Sequence, residues 1–97
     1  MFVGTVMAAR RVERKQPIPL TEAKRLERAL LATFGKNLLS ARNAAQLSQQ
    51  ALGDATNLSP NYLGRAERGS ANVSLGVVAR LAAILKVSPA LLLSDNI

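Results

Sequence analysis

The chain contains no cysteine, no histidine and no tryptophan, and its only aromatic residues are one Tyr and two Phe. Without cysteine there can be no disulfide and no thiolate metal site, and a reducing cytoplasm is the expected setting. Without histidine the commonest general base and the commonest metal ligand are both missing. Six Asp and Glu residues remain among 97, and they form no tight acidic cluster. A hydrolytic or metal-dependent enzyme is hard to assemble from that inventory. The expectation is a non-enzymatic protein with no cofactor and no metal. No apolar run approaches the roughly 18 residues needed to span a bilayer, so no membrane role is expected. The first nine residues are apolar, but the basic residues Arg10, Arg11, Arg14 and Lys15 follow them. That is the reverse of the order in a secretory signal.

Hydrophobic residues make up 48% of the chain. With so few aromatics, the core must be built from Leu, Val, Ile and Ala. Leu and Ala are strong helix formers, and 97 residues give room for one domain. An all-α bundle is therefore expected. The formal net charge is +7, which creates a positive field that attracts polyanions. A merely solubilising surface is the other reading of that charge.

Residues 1–19 show no sustained periodicity and end at Pro17-Ile18-Pro19. They read as a flexible basic arm, either a solvated tail or an arm that follows DNA phosphates or enters the minor groove. Residues 20–33 read as an amphipathic helix, with Thr21 as its N-cap and Ala23, Leu26 and Leu30 on one face. It either precedes the core or runs into it, depending on whether Gly35 breaks it. Phe34, Leu38, Ala41 and Ala45 then recur at helical spacing. Ser48 can cap a short helix with Leu52 and Ala55 inward. Asn57 can adopt the left-handed conformation that closes it. Ser59-Pro60 reads as an N-cap followed by the first helical position. Leu63 and Ala66 face inward, and Gly69 stops that helix. Asn72 or Ser74 begins the next, whose apolar face is Leu75, Val78, Leu81, Ala82 and Leu85. Ser88-Pro89 opens a last short helix through Leu93.

The informative unit is 48–69: two short helices joined by the tight turn Thr56-Asn57-Leu58-Ser59. Gly53 sits where the two helices should come closest. Helix-turn-helix DNA readers have this shape, and their second helix enters the major groove. An ordinary helical hairpin has it too.

Longer stretches narrow the choice. Phe34-Gly35-Lys36-Asn37-Leu38-Leu39-Ser40-Ala41-Arg42, then Leu47-Ser48-Gln49-Gln50-Ala51-Leu52-Gly53, then Tyr62-Leu63-Gly64-Arg65-Ala66-Glu67-Arg68-Gly69 occur in fixed order. Together they resemble the Cro/C1-type (XRE-type) helix-turn-helix family over about two thirds of the chain. The resemblance implies a compact five-helix bundle of the lambda-repressor-like type over 34–97. It further implies a homodimer on an operator of double-stranded DNA with an inverted repeat. It implies a phosphate contact for Gln49, at the start of the second helix, where backbone amides also favour anions. It implies an Arg42–Glu67 pair that tethers the first helix to the end of the third, with a phosphate-facing edge on Arg42. Base reading falls to the outward face of the helix at about 59–68. Asn61 suits the adenine edge, Arg65 suits guanine's two acceptors, and Pro60 offers an apolar face to a thymine methyl. Tyr62 can touch a base or a phosphate, and Arg68 is placed for phosphate.

Three residues depart from the family pattern. Gly53 stands where Ala is usual, Asn57 where Gly is usual, and Gly64 lies inside the reading helix, where it costs about 1 kcal/mol relative to Ala. The leading expectation is a sequence-specific DNA-binding transcriptional regulator, a repressor. An antitoxin that also represses its own operon is a second reading, with a toxin partner folding residues 1–33. A protein-interaction module on the same fold is a third. A dimer contact is expected either through Leu91, Leu92 and their neighbours or through the N-terminal helix.

Overall fold

The computed structural model describes residues 19–95. They form α1 (Leu20–Ala44), α2 (Gln49–Thr56), α3 (Pro60–Glu67), α4 (Leu75–Leu85) and α5 (Pro89–Leu93). There is no strand among the described residues, and the all-α expectation holds.

Four of the five helix starts use the same device. Ser48, Ser59, Ser74 and Ser88 sit in extended backbone just ahead of their helices, and their hydroxyls accept from the N–H groups of Ala51, Tyr62, Val77 and Ala90. Each satisfies a backbone donor that has no partner inside the helix. Pro60 and Pro89 follow directly, where a missing N–H is harmless. The start of α1 differs from expectation. Pro19 occupies its cap position and Thr21 lies within the first turn. The Pro19 carbonyl accepts from the N–H groups of Glu22 and Ala23, so the helix closes without a side-chain cap.

Helix α1 runs unbroken through Gly35 for 25 residues, about 37 Å at the standard rise. Its buried residues are Phe34, Gly35 and Leu38. The apolar stripe predicted N-terminal to them exists, but it faces solvent: Ala23 is exposed, and Leu26 and Leu30 are 59% and 49% exposed. The first half of α1 therefore projects past the core.

The core gathers Phe34, Leu38, Leu52, Leu63, Val78, Leu81, Leu85 and Leu92, with Ala66, Ala71 and Ala82 filling between them. Helix α3 packs on α1 and α2, α4 packs on α2 and α5, and α5 closes back on α1. Asn37 secures that closure. Its side-chain N–H₂ lies 3.2, 3.0 and 2.7 Å from the carbonyl oxygens of Leu91, Leu92 and Ser94 at the end of α5.

Several expected core positions move. Ala45 is exposed, because α1 ends at Ala44 and Gln46 turns left-handed, taking the chain off the buried face. Ala55 is exposed and Thr56 buried, since α2 turns Leu52, Gly53 and Thr56 inward. The Thr56 hydroxyl is satisfied by donating to the Leu52 carbonyl at 2.7 Å. Leu75 is 76% exposed at the first position of α4, whose inner face begins with Val78. Leu92 belongs to the core and cannot serve a dimer contact, whereas Leu91 is 46% exposed.

Candidate nucleic-acid interface

Helices α2 and α3 are joined by three residues, and the joint is closed by backbone geometry. Asn57 is left-handed at φ 62° and ψ 42°, as its side chain allows. The Leu58 N–H returns to the Gly53 carbonyl at 3.0 Å. Gly53 matters here, though its neighbour is not the one expected. A Cβ on Gly53 would overlap the Leu58 carbonyl oxygen of the turn, while the nearest atom of α3, Leu63 Cδ1, would sit at an ordinary 3.6 Å. The arriving turn, more than the second helix, requires the glycine.

Within α3, Leu63, Gly64 and Ala66 are buried, while Asn61 and Arg65 are exposed and Pro60 and Tyr62 are partly exposed. All four base-reading candidates thus keep exposed surface. Tyr62 is more tightly engaged than expected. Its hydroxyl donates to the Asn72 carbonyl at 3.2 Å, and its ring lies 5.5 Å from the Arg65 guanidinium carbon. Residues three apart on a helix are neighbours, and a cation over an aromatic face is attracted to it. The Arg65 carbonyl in turn accepts from the N–H and hydroxyl of Ser70, at 2.9 and 3.2 Å. The loop leaving α3 is therefore fastened to the two residues that frame its outer face.

The end of α3 is held by one carboxylate. Arg42 approaches Glu67 side by side, Nε to Oε2 at 2.6 Å and Nη2 to Oε1 at 3.1 Å. Arg42 Nη1 donates to the Leu47 carbonyl at 2.9 Å, and Gln49 Nε2 donates to Glu67 Oε1 at 2.9 Å. The two charged side chains are only 13% and 6% exposed. The hydrogen bonding of Arg42 to the Glu67 carboxylate raises the Arg42 pKa above the ordinary arginine value, overcoming the opposing effect of burial, and the charge of Glu67 adds to it. The structure therefore joins Arg42 and Glu67 directly and adds Gln49 to the pair. Arg68 is exposed at the C-cap of α3.

Two close approaches set where α3 ends. A Cβ on Gly35 would come within 2.6 Å of both the Ala66 and the Glu67 carbonyl oxygens. Gly35 thus lets α1 lie directly against the last turn of α3. Gly69 turns left-handed at φ 76°, and a Cβ there would be 3.1 Å from the Ala32 Cα. The Arg80 guanidinium, on the exposed side of α4, donates to the Thr56 carbonyl at 2.8 Å and closes the end of α2. Neither Gly35 nor Arg80 was legible as a positioning residue, because each acts on residues at least 24 positions away. Among the described residues, no helix is long and apolar enough to cross a membrane.

The helix-turn-helix domain family model matches residues 33–94. No curated protein matches the chain significantly. Among solved structures, the restriction-modification controller protein C.AhdI from Aeromonas hydrophila is 41% identical, with a TM-score of 0.63 over 66% of this chain and 97% of its own. The clp gene regulator ClgR from Corynebacterium glutamicum is 33% identical, with a TM-score of 0.64 over 66% of this chain and 68% of its own. The hypothetical transcription factor NHTF from Neisseria is 28% identical, with a TM-score of 0.67 over 72% and 80%. With the turn, the caps and the Arg42–Glu67 pair in place, the chain belongs to the helix-turn-helix family of the Cro/C1 type.

Proposed function

We propose that the protein is a sequence-specific DNA-binding transcriptional regulator that represses by occupying its operator. The observation that carries this reading is the outer face of α3. Asn61 and Arg65 are exposed there, on a helix whose inner face is buried and whose end is fixed to α1 and α2 through Glu67. Arg65 presents paired donors to guanine, Asn61 reads adenine, and Pro60 meets a thymine methyl. Tyr62 supports Arg65 from the side, since its hydroxyl is already engaged. Gln49, Arg68 and the outer edge of Arg42 bind backbone phosphate, which fixes register without reading sequence. Two relatives above 30% identity are named as a controller and a gene regulator, which fits this reading. The active species is a homodimer on an inverted repeat, with the exposed Leu91 and the Leu26–Leu30 stripe as surfaces for the second copy.

Duplexes selected from a random pool provide the test. The parent should bind a selected inverted repeat with two chains per site. Arg65→Ala should weaken that binding by about 1–3 kcal/mol, the worth of one bidentate base contact. A variant that bound every selected site as tightly as the parent would remove Arg65 from the reading face.

A further inference from the structure

The projecting half of α1 is not used by the core, yet one of its faces is aligned with the end of α3. Arg28, Gly35 and Arg42 are spaced by seven residues, which returns a helix to nearly the same face every two turns. Gly35 and Arg42 on that row touch the last turn of α3. Arg28 lies about 10 Å further along the same row, and Lys24 stands one turn beyond Arg28. Lys24 and Arg28, together with Leu31, form one wall of a groove of about 390 Å³ whose other wall is the loop 69–72 leaving α3. That loop is hydrogen-bonded to Tyr62 and Arg65. Both cations are exposed, and neither has an ion-pair partner among the described residues. Arg25, by contrast, is paired with Glu22 at 2.6 Å. Glu27 also borders the groove, about 80° round α1 from the Gly35–Arg42 row, and makes no ion pair with either cation.

We infer that Lys24 and Arg28 form a phosphate-binding rail, which grips the DNA backbone flanking the groove read by α3 and lengthens the footprint beyond that of the bundle alone. The inference rests on the DNA-binding reading above. It assigns the length of α1 a role: the helix carries two free cations past the loop that is fastened to the reading face. The rail adds affinity uniformly and reads no sequence.

The test uses the full chain, a selected duplex and an unrelated duplex, titrated between 50 and 200 mM salt. Each lost phosphate contact lowers the slope of log affinity against log salt by about 0.9. Lys24→Gln/Arg28→Gln should therefore flatten the slope by about 1.8, so the parent's advantage shrinks about 12-fold across that range. The ratio of specific to unrelated binding should stay unchanged. Hydroxyl-radical protection should recede from the flanking phosphates and persist in the central groove. A charge-matched control, Lys36→Gln/Lys86→Gln, removes two exposed cations elsewhere on the protein and should keep the parent slope. A parent that binds while the rail variant keeps its slope overturns the rail alone. So does a control that flattens the slope equally, because net charge would then be the cause. A parent with no affinity for any duplex overturns the functional reading itself and the rail with it.

Discussion

Gly64 lies in the middle of α3, where glycine should weaken the helix most, and the structure says what an alanine would meet. A Cβ there would sit 3.4 Å from Arg68 Nη1 and 3.6 and 3.8 Å from the Gln49 side-chain amide. These are ordinary contacts with the ends of flexible side chains, so nothing rigid need move. Replacing an interior helical Gly by Ala is worth up to about 1 kcal/mol. Gly64→Ala should therefore stabilise the domain by about 1 kcal/mol and raise its Tm by about 4–8 °C. Amide exchange in α3 should slow, while affinity for the selected operator should stay close to that of the parent. Gly35→Ala is the counterpart, carrying the same gain in helix propensity. Its Cβ, however, would lie 2.6 Å from two backbone carbonyl oxygens, those of Ala66 and Glu67. Backbone cannot rotate aside, and forcing extra volume into a tight contact costs about 1–3 kcal/mol. Gly35→Ala should lower the Tm. Thermal unfolding by circular dichroism decides both. If the two variants shifted the Tm in the same direction, the approach of α1 to the end of α3 would not be the constraint described.

Two further substitutions address the site. Arg42→Ala leaves the Glu67 carboxylate, 6% exposed, without its cation, so a loss of about 3–5 kcal/mol is expected. Adding Glu67→Ala should then cost much less than it does alone; urea denaturation of the four-member cycle measures the coupling, and additive losses would refute it. The raised Arg42 pKa contributes stability at every pH below the ordinary arginine value and loses it only as the pH rises above that range. Tyr62→Phe removes only the hydroxyl that donates to Asn72, whereas Tyr62→Ala also removes the ring beside Arg65. Specific affinity should survive the first and fall with the second. Equal losses in a mobility-shift titration would show that the hydroxyl, and not the ring, is the working part.

What the chain discloses unaided is local chemistry. Serine followed by proline, an asparagine able to turn left-handed and glycines at helix ends act within four or five residues, and each is found where its own conformational limits put it. Periodicity also identified the stripe Ala23–Leu26–Leu30, but it could not say what the stripe faces. A stripe records a preference for a partner without naming one, and in this fold the core lies a turn further on. The misplaced core positions have a related origin. Ala55 and Thr56 are adjacent, and which of them points inward depends on a rotation of α2 that is set by Gly53 against the turn. The Arg42–Glu67 pair came from a family pattern. Its third member, Gln49, came from the structure, as did Asn37 at the end of α5 and Arg80 at the end of α2. Each of these depends on a chain reversal that brings distant residues together, for which no short-range signal exists.

The choice of an ion pair at the junction of α1, α2 and α3 calls for a reason beyond stability. Buried pairs often hold a structure no better than apolar residues of similar volume would. A leucine pair could fill the same space between α1 and α3. It could not bind the Leu47 carbonyl, receive the Gln49 amide and still present N–H groups at the protein edge. Of the five N–H donors on Arg42, Nε, Nη1 and Nη2 each commit one within the protein, which leaves two for a ligand. Under the proposed function those two meet phosphate, with the guanidinium already ordered by Glu67. An arginine fixed in advance loses little side-chain freedom when DNA arrives. On this account the junction uses a costly interaction because the same group must orient the reading helix and receive the backbone that the helix reads beside.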